Sequence, residues 1–140
     1  MKKDTKRTLA SGSYSVEGSP IPLARHRHSG DHTWDSQKQQ KYGTGIQLVN
    51  QHEDKPKYQG PIQLDVTFFM PIRKSGYKAP KGGYHFIKPD LSNLVKYIED
   101  AATGILYDDD CIISVINAQK RYSEIPRTEF TITELEQDGI

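Results

Sequence analysis

Between Asp90 and Asp110 the chain carries six acids, Asp90, Glu99, Asp100, Asp108, Asp109 and Asp110, against one base, Lys96. Carboxylates are hard oxygen donors of the kind that hold divalent cations, and the question is whether the fold can bring them together. Leu91, Leu94, Val95, Ile98, Ala101 and Ala102 recur at i, i+3, i+4 and i+7, which predicts a helix over 91–102 with one buried stripe. Asp90 stands where a cap would, its carboxylate toward the unpaired N–H groups, and Gly104 suits the position just past the last turn. Such a helix rises about 18 Å. The segment 105–109, if extended, runs back about 16 Å, so Asp109 is expected beside Asp90 at the same helix end. Lys96, with Asn93 at i−3 and Asp100 at i+4, lies on a face apart from the stripe. Two carboxylates from separate elements beside a fixed ammonium match what metal-assisted hydrolysis of a phosphodiester needs. Taken singly, each group has a plainer role: a helix cap, a solvated lysine, a turn before a strand.

The elements that must position these groups lie in a chain of uneven charge. Residues 1–89 hold fifteen Lys and Arg against seven acids, a net of +8, whereas Asp90 to Asp110 has a net of −5. An acidic island in a basic surround suits a site that holds cations while its flanks grip a polyanion, although the whole chain is only +1. Candidate phosphate contacts are Arg25 and Arg27 in a His-rich, Gly-flanked loop, then Arg73, Lys74, Lys78 and Lys81 in a glycine-rich loop, and Lys88 beside Asp90. A solvated loop is the bland alternative for both stretches. Zinc fits poorly, since Cys111 is the chain's one cysteine.

Tyr14 and Val16 suggest a short first strand stopped by Gly18, and Trp34, Tyr42, Ile46 and Val49 suggest an amphipathic helix over 35–51 with the aromatics as core anchors. Leu64, Val66, Phe68 and Met70 alternate with other residues in a half-buried strand. Residues 84–87 read as a short strand, 111–119 as a central strand apolar on both faces, and 128–132 as a last alternating strand. The segment 1–11 reads as a basic tail, 12–133 as one domain and 134–140 as an acidic tail. With 34% hydrophobic residues the core is lean for a lone monomer. No stretch approaches a membrane span and no apolar segment follows the basic start, so a cytoplasmic protein is expected.

The pattern Lys88-Pro89-Asp90-Leu91-Ser92-Asn93-Leu94, then Lys96, then Gly104, Leu106, Asp108 and Asp109, resembles the RusA family of Holliday junction resolvases. Residues 13–22 and Phe68-Phe69-Met70-Pro71 are similar to that family too, so the likeness covers most of the chain. The resemblance implies a small α/β (α+β) domain, a mixed sheet packed by two helices, acting as a homodimer. It implies an endodeoxyribonuclease of recombination and repair that nicks branched, four-way DNA junctions with magnesium, manganese being a substitute. It implies Asp90 and Asp109 as metal ligands and Lys96 as the catalytic lysine. The family has a second aspartate where this chain has Ser92. Asp108, Asp110 or Asp100 is then needed for the missing charge, and Ser92 and Asn93 become candidates for positioning a water. Two readings follow: a resolvase that cuts, or a junction-binding protein whose cleavage is weak or lost through Ser92.

Overall fold

The computed structural model describes residues 8–24, 27–29, 32–34, 36–73 and 79–137, with the side chains of 27–29 and 32–34 outside the description. In chain order its elements are β1 (Ser11–Glu17), β2 (Arg27–Ser29), β3 (His32–Trp34), α1 (Lys38–His52), β4 (Ile62–Pro71), α2 (Leu91–Ala102), β5 (Ile113–Ser123) and β6 (Arg127–Glu134). The main sheet is ordered β1-β6-β4-β5, and β2 and β3 form a separate ribbon where a loop is expected from sequence. β4 pairs antiparallel with β6 and parallel with β5. The expected α+β domain, a mixed sheet with two helices, is what the chain forms.

The core follows from two periods. Ile62, Leu64, Val66, Phe68 and Met70 alternate on β4 and all turn inward, meeting Phe130 and Ile132 of β6 and Tyr14 and Val16 of β1. Leu94, Val95, Ile98, Ala101 and Ala102 put the apolar face of α2 against them. Tyr97 is buried as well, because its hydroxyl is 2.9 Å from that of Thr44 on α1.

Four expectations are corrected. Helix α1 exists, but the expected apolar stripe faces outward: Tyr42, Ile46 and Val49 are exposed, and Thr44, Gly45, Leu48 and His52 are buried. The buried face holds because its polar groups are paired. Gln51 also accepts from the Ser15 N–H and donates to the Ser15 carbonyl, and Gln47 accepts from the Glu17 N–H, so the glutamines cover the edge of β1. The strand after the acidic run is an edge strand, with Val115 and Ile116 exposed, not a central one. Residues 84–87 form no strand; Tyr84 makes only an isolated bridge to Arg121. Glu134 belongs to β6 rather than to a tail: fully buried, it accepts from the N–H groups of Ala10 and Gln59.

Candidate active site

Asp90 caps α2 through its backbone, its carbonyl accepting from the N–H groups of Asn93 and Leu94, while its carboxylate makes no cap hydrogen bond. That carboxylate, 54% exposed, instead accepts from Lys88 Nζ at 3.0 Å. The segment carrying both residues is held from β5: Lys120 Nζ donates to the carbonyls of Ile87 at 2.7 Å and Pro89 at 2.8 Å. Burial draws the Lys120 ammonium below its ordinary pKa, Asp90 opposes that shift and Lys88 adds to it. A cleft of about 620 Å³ opens here between Phe86, His85, Lys88, Asp90 and Lys120. His85 lies at its base, buried, with Nδ1 lacking a hydrogen-bond partner and its pKa lowered by burial and by Lys120. Sequence offers no signal for His85; Lys120 stands out there with Arg121 as a base ending the strand after the acidic run, placed either to face DNA or to cap an edge.

The second acidic group is built differently. Tyr107 donates to the Glu99 carbonyl, and the Leu106 N–H donates to that of Ala102, so the chain after Gly104 turns tightly under the helix C-terminus. Gly104 makes this turn with φ of 86°, a conformation that favours glycine. Asp108 pairs with Lys57 at 2.9 Å. Asp109 accepts from the Cys111 N–H at 3.0 Å, which holds its carboxyl below the ordinary value. Asp110 is pushed the other way, by burial first and then by Asp109 and Asp100. Glu99 is raised by burial and by Asp110, with Lys96 opposing. Asp100 is paired with Lys41 of α1.

These two groups do not meet within the chain. Parallel strands β4 and β5 are joined through α2, so the helix must run back along them and its two ends belong to opposite ends of the sheet. Asp90 begins the helix and Asp108–Asp110 follow its end, about 18 Å of helix apart. Lys120 confirms this from the strand side: it anchors the Asp90 segment, yet lies seven residues, about 23 Å, beyond Ile113. The expectation that residues 105–109 run back beside Asp90 is therefore corrected. Its premise, an extended return, fails at the Gly104–Tyr107 turn. Among the described residues no three His, Cys, Asp or Glu side chains converge as one metal site.

The remaining candidates are placed as follows. Lys96 and Ser92 are exposed on α2, one turn apart on the face away from the core, and Asn93 is half-buried, its carbonyl accepting from the Leu23 N–H. Lys88 and Arg73 are exposed, and Lys81 pairs with Glu124 at 3.0 Å. Arg25, Lys74, Lys78 and the side chain of Arg27 lie outside the described residues. Cys111 is exposed, and its thiol pKa is raised by partial loss of solvent around the sulfur and by the neighbouring Asp109. No helix among the described residues is long and apolar enough to cross a membrane.

Comparison with known proteins gives a consistent picture. The family model of endodeoxyribonuclease RusA matches residues 17–133. The chain is 33% identical over 135 residues to the uncharacterised protein YqaN of Bacillus subtilis, covering 87% of this chain and 95% of that protein. It is 37% identical over 76 residues to the crossover junction endodeoxyribonuclease rusA of Lactococcus phage r1t, covering 54% of this chain and 56% of that one.

Proposed function

Because this chain belongs to the RusA endodeoxyribonuclease family, we propose that it is a structure-selective endonuclease that resolves four-way DNA junctions by paired nicks, with magnesium as its metal and as a homodimer. The observation that carries this reading is the state of Asp90. A helix start would ordinarily spend that carboxylate on its own N–H groups; here it is left to face a cleft beside Lys88 and Lys120. Asp109 and its neighbours supply the other negative groups, and Lys96 on the exposed face of α2 is the ammonium for charge that develops at phosphate. Lys88, Arg73, Lys81 and the bases at 25, 27, 74 and 78 are the phosphate contacts, with Ser92 and Asn93 available to position water.

The second reading is a junction binder that does not cut. Ser92, where the family has a second carboxylate, favours it. A synthetic mobile four-way junction incubated with the protein and magnesium separates the two. Symmetric nicks are expected; a retarded, uncut junction would establish the binder. On the nuclease reading Asp90→Asn abolishes nicking, by at least ~100-fold, and keeps or tightens junction binding, because it removes a repelling charge along with the ligand. Nicking retained by that variant would remove Asp90 from the site.

A further inference from the structure

We propose that Phe86 is a stacking platform for a base that has lost its neighbour at the branch point of a DNA junction, so that the segment presenting Asp90 also selects branched over continuous DNA. This deepens the nuclease reading above and rests on it, since it names what that site takes hold of besides phosphate. The first observation is an apolar surface beside charged groups. Tyr84, Phe86 and Ile87 are 65%, 74% and 43% exposed, and they lead directly into Lys88 and Asp90. Large apolar side chains gathered in solvent and rimmed by charge mark a place where something binds.

The second observation is that this exposure is imposed by the fold. The His85 N–H donates to the Lys120 carbonyl at 3.0 Å, and Lys120 Nζ donates to the Ile87 carbonyl at 2.7 Å, so both neighbours of Phe86 are tied to one residue of β5. The His85 ring is buried, its centroid 5.0 Å from that of Tyr122. With that ring turned in and both flanks held, the Phe86 side chain is left in solvent. A backbone already held in this way loses little further freedom when a ligand is gripped.

The third observation is what shares the cleft. Phe86 lines the opening of about 620 Å³ together with Lys88, Asp90 and Lys120, a volume in the range that small ligands occupy. An occupant must offer an apolar face to the ring and negative charge to the two ammonium groups. An apolar protein segment or a second copy of the chain meets only the first demand, whereas a nucleotide meets both, with its base and its phosphate. Tyr84 is the poorer platform, because the Arg121 guanidinium lies over its ring at 3.8 Å. In continuous duplex each base is stacked between neighbours, and drawing one out is costly, least so where pairing is already interrupted. The centre of a four-way junction is such a place. Phe86 therefore rewards branched DNA and adds little on a duplex.

The test is metal-free binding to a fixed four-way junction that carries 2-aminopurine at its branch point, compared with a duplex of the same sequence. Binding of the wild type should change the 2-aminopurine fluorescence. Phe86→Ala should abolish that change and weaken junction binding by about 5- to 150-fold, the worth of one base–aromatic stack. Duplex binding should stay within about twofold, with its salt dependence unchanged, because no phosphate contact is removed. Phe86→Trp should keep both the junction affinity and the fluorescence change, and Phe86→Leu, apolar but without a ring, should lose nearly as much as alanine. Equal losses on junction and duplex, no loss on either, or full recovery by leucine would overturn the proposal. So would a Phe86→Ala protein that sediments at lower mass than the wild type, because the ring would then be the seat of a second copy. If the wild type binds junctions and never nicks them with magnesium, the nuclease reading fails, and the metal-free comparison still decides the role of Phe86.

Discussion

Lys120 shows how a residue can matter to a site without holding a ligand. Its ammonium bridges two carbonyls on either side of Lys88, so the segment that presents Asp90 is fixed to β5 rather than left to the loop. Partners that orient metal-holding groups are worth about 10–100-fold in affinity or activity. Lys120→Met should therefore lower single-turnover nicking by at least ~10-fold while metal-free junction binding stays within about threefold, and Lys120→Arg should recover part of the loss. A fall in junction affinity with a shallower salt dependence would instead make Lys120 a phosphate contact. Lys88 differs in kind: exposed and, among the described residues, paired with Asp90, it is better placed to exchange that partner for a phosphate when DNA arrives.

At the scale of elements, the packing of α1 on β1 depends on polar groups that must all be matched. The Tyr14 hydroxyl lies 2.7 Å from His52 Nδ1 and 2.6 Å from the Tyr58 hydroxyl, and His52 Nε2 lies 3.1 Å from the Pro56 carbonyl, to which it donates. Gly12 is needed beside them, since a Cβ there would strike the Tyr58 hydroxyl. Tyr14→Phe leaves buried partners unmatched and should cost about 1–3 kcal/mol, read as a shift of the urea midpoint with unchanged slope. This network also marks where sequence reading reached its limit. Helix α2 and strand β4 were legible because each has one apolar face with its own period. The buried face of α1 was not, because Thr44, Gln37 and His52 look like solvated residues until their partners are known. Strand β5 misled for a related reason: apolar residues on both faces mark either a central strand or an edge awaiting a partner, and composition cannot distinguish them. Asp90 starts α2 and Asp109 lies in the turn before β5. Their placement at one end failed because counting residues gives the length of a return but not its direction, which the parallel pairing of β4 and β5 decides.

For the molecule as a whole, the near-neutral net charge hides a division that bears on Ser92. Acids are gathered at the two ends of α2, and bases occupy the segments that lead to it. Ser92 is exposed, two residues from Asp90, so a carboxylate there would add charge to one end of the helix without disturbing the core. If the acids already present, Asp108–Asp110 among them, supply enough negative charge, that addition is nearly redundant. Ser92→Asp is then expected to change nicking by no more than about threefold at saturating magnesium, while weakening metal-free junction binding through repulsion of phosphate. The outcome depends on salt in a way that separates charge from coordination: screening at higher ionic strength should erase the binding defect and leave the nicking rate where it was. A silent wild type that begins to nick junctions only as Ser92→Asp would reverse this expectation. It would mean that the acidic run cannot compensate at position 92, and that the natural chain is the binder of the second reading.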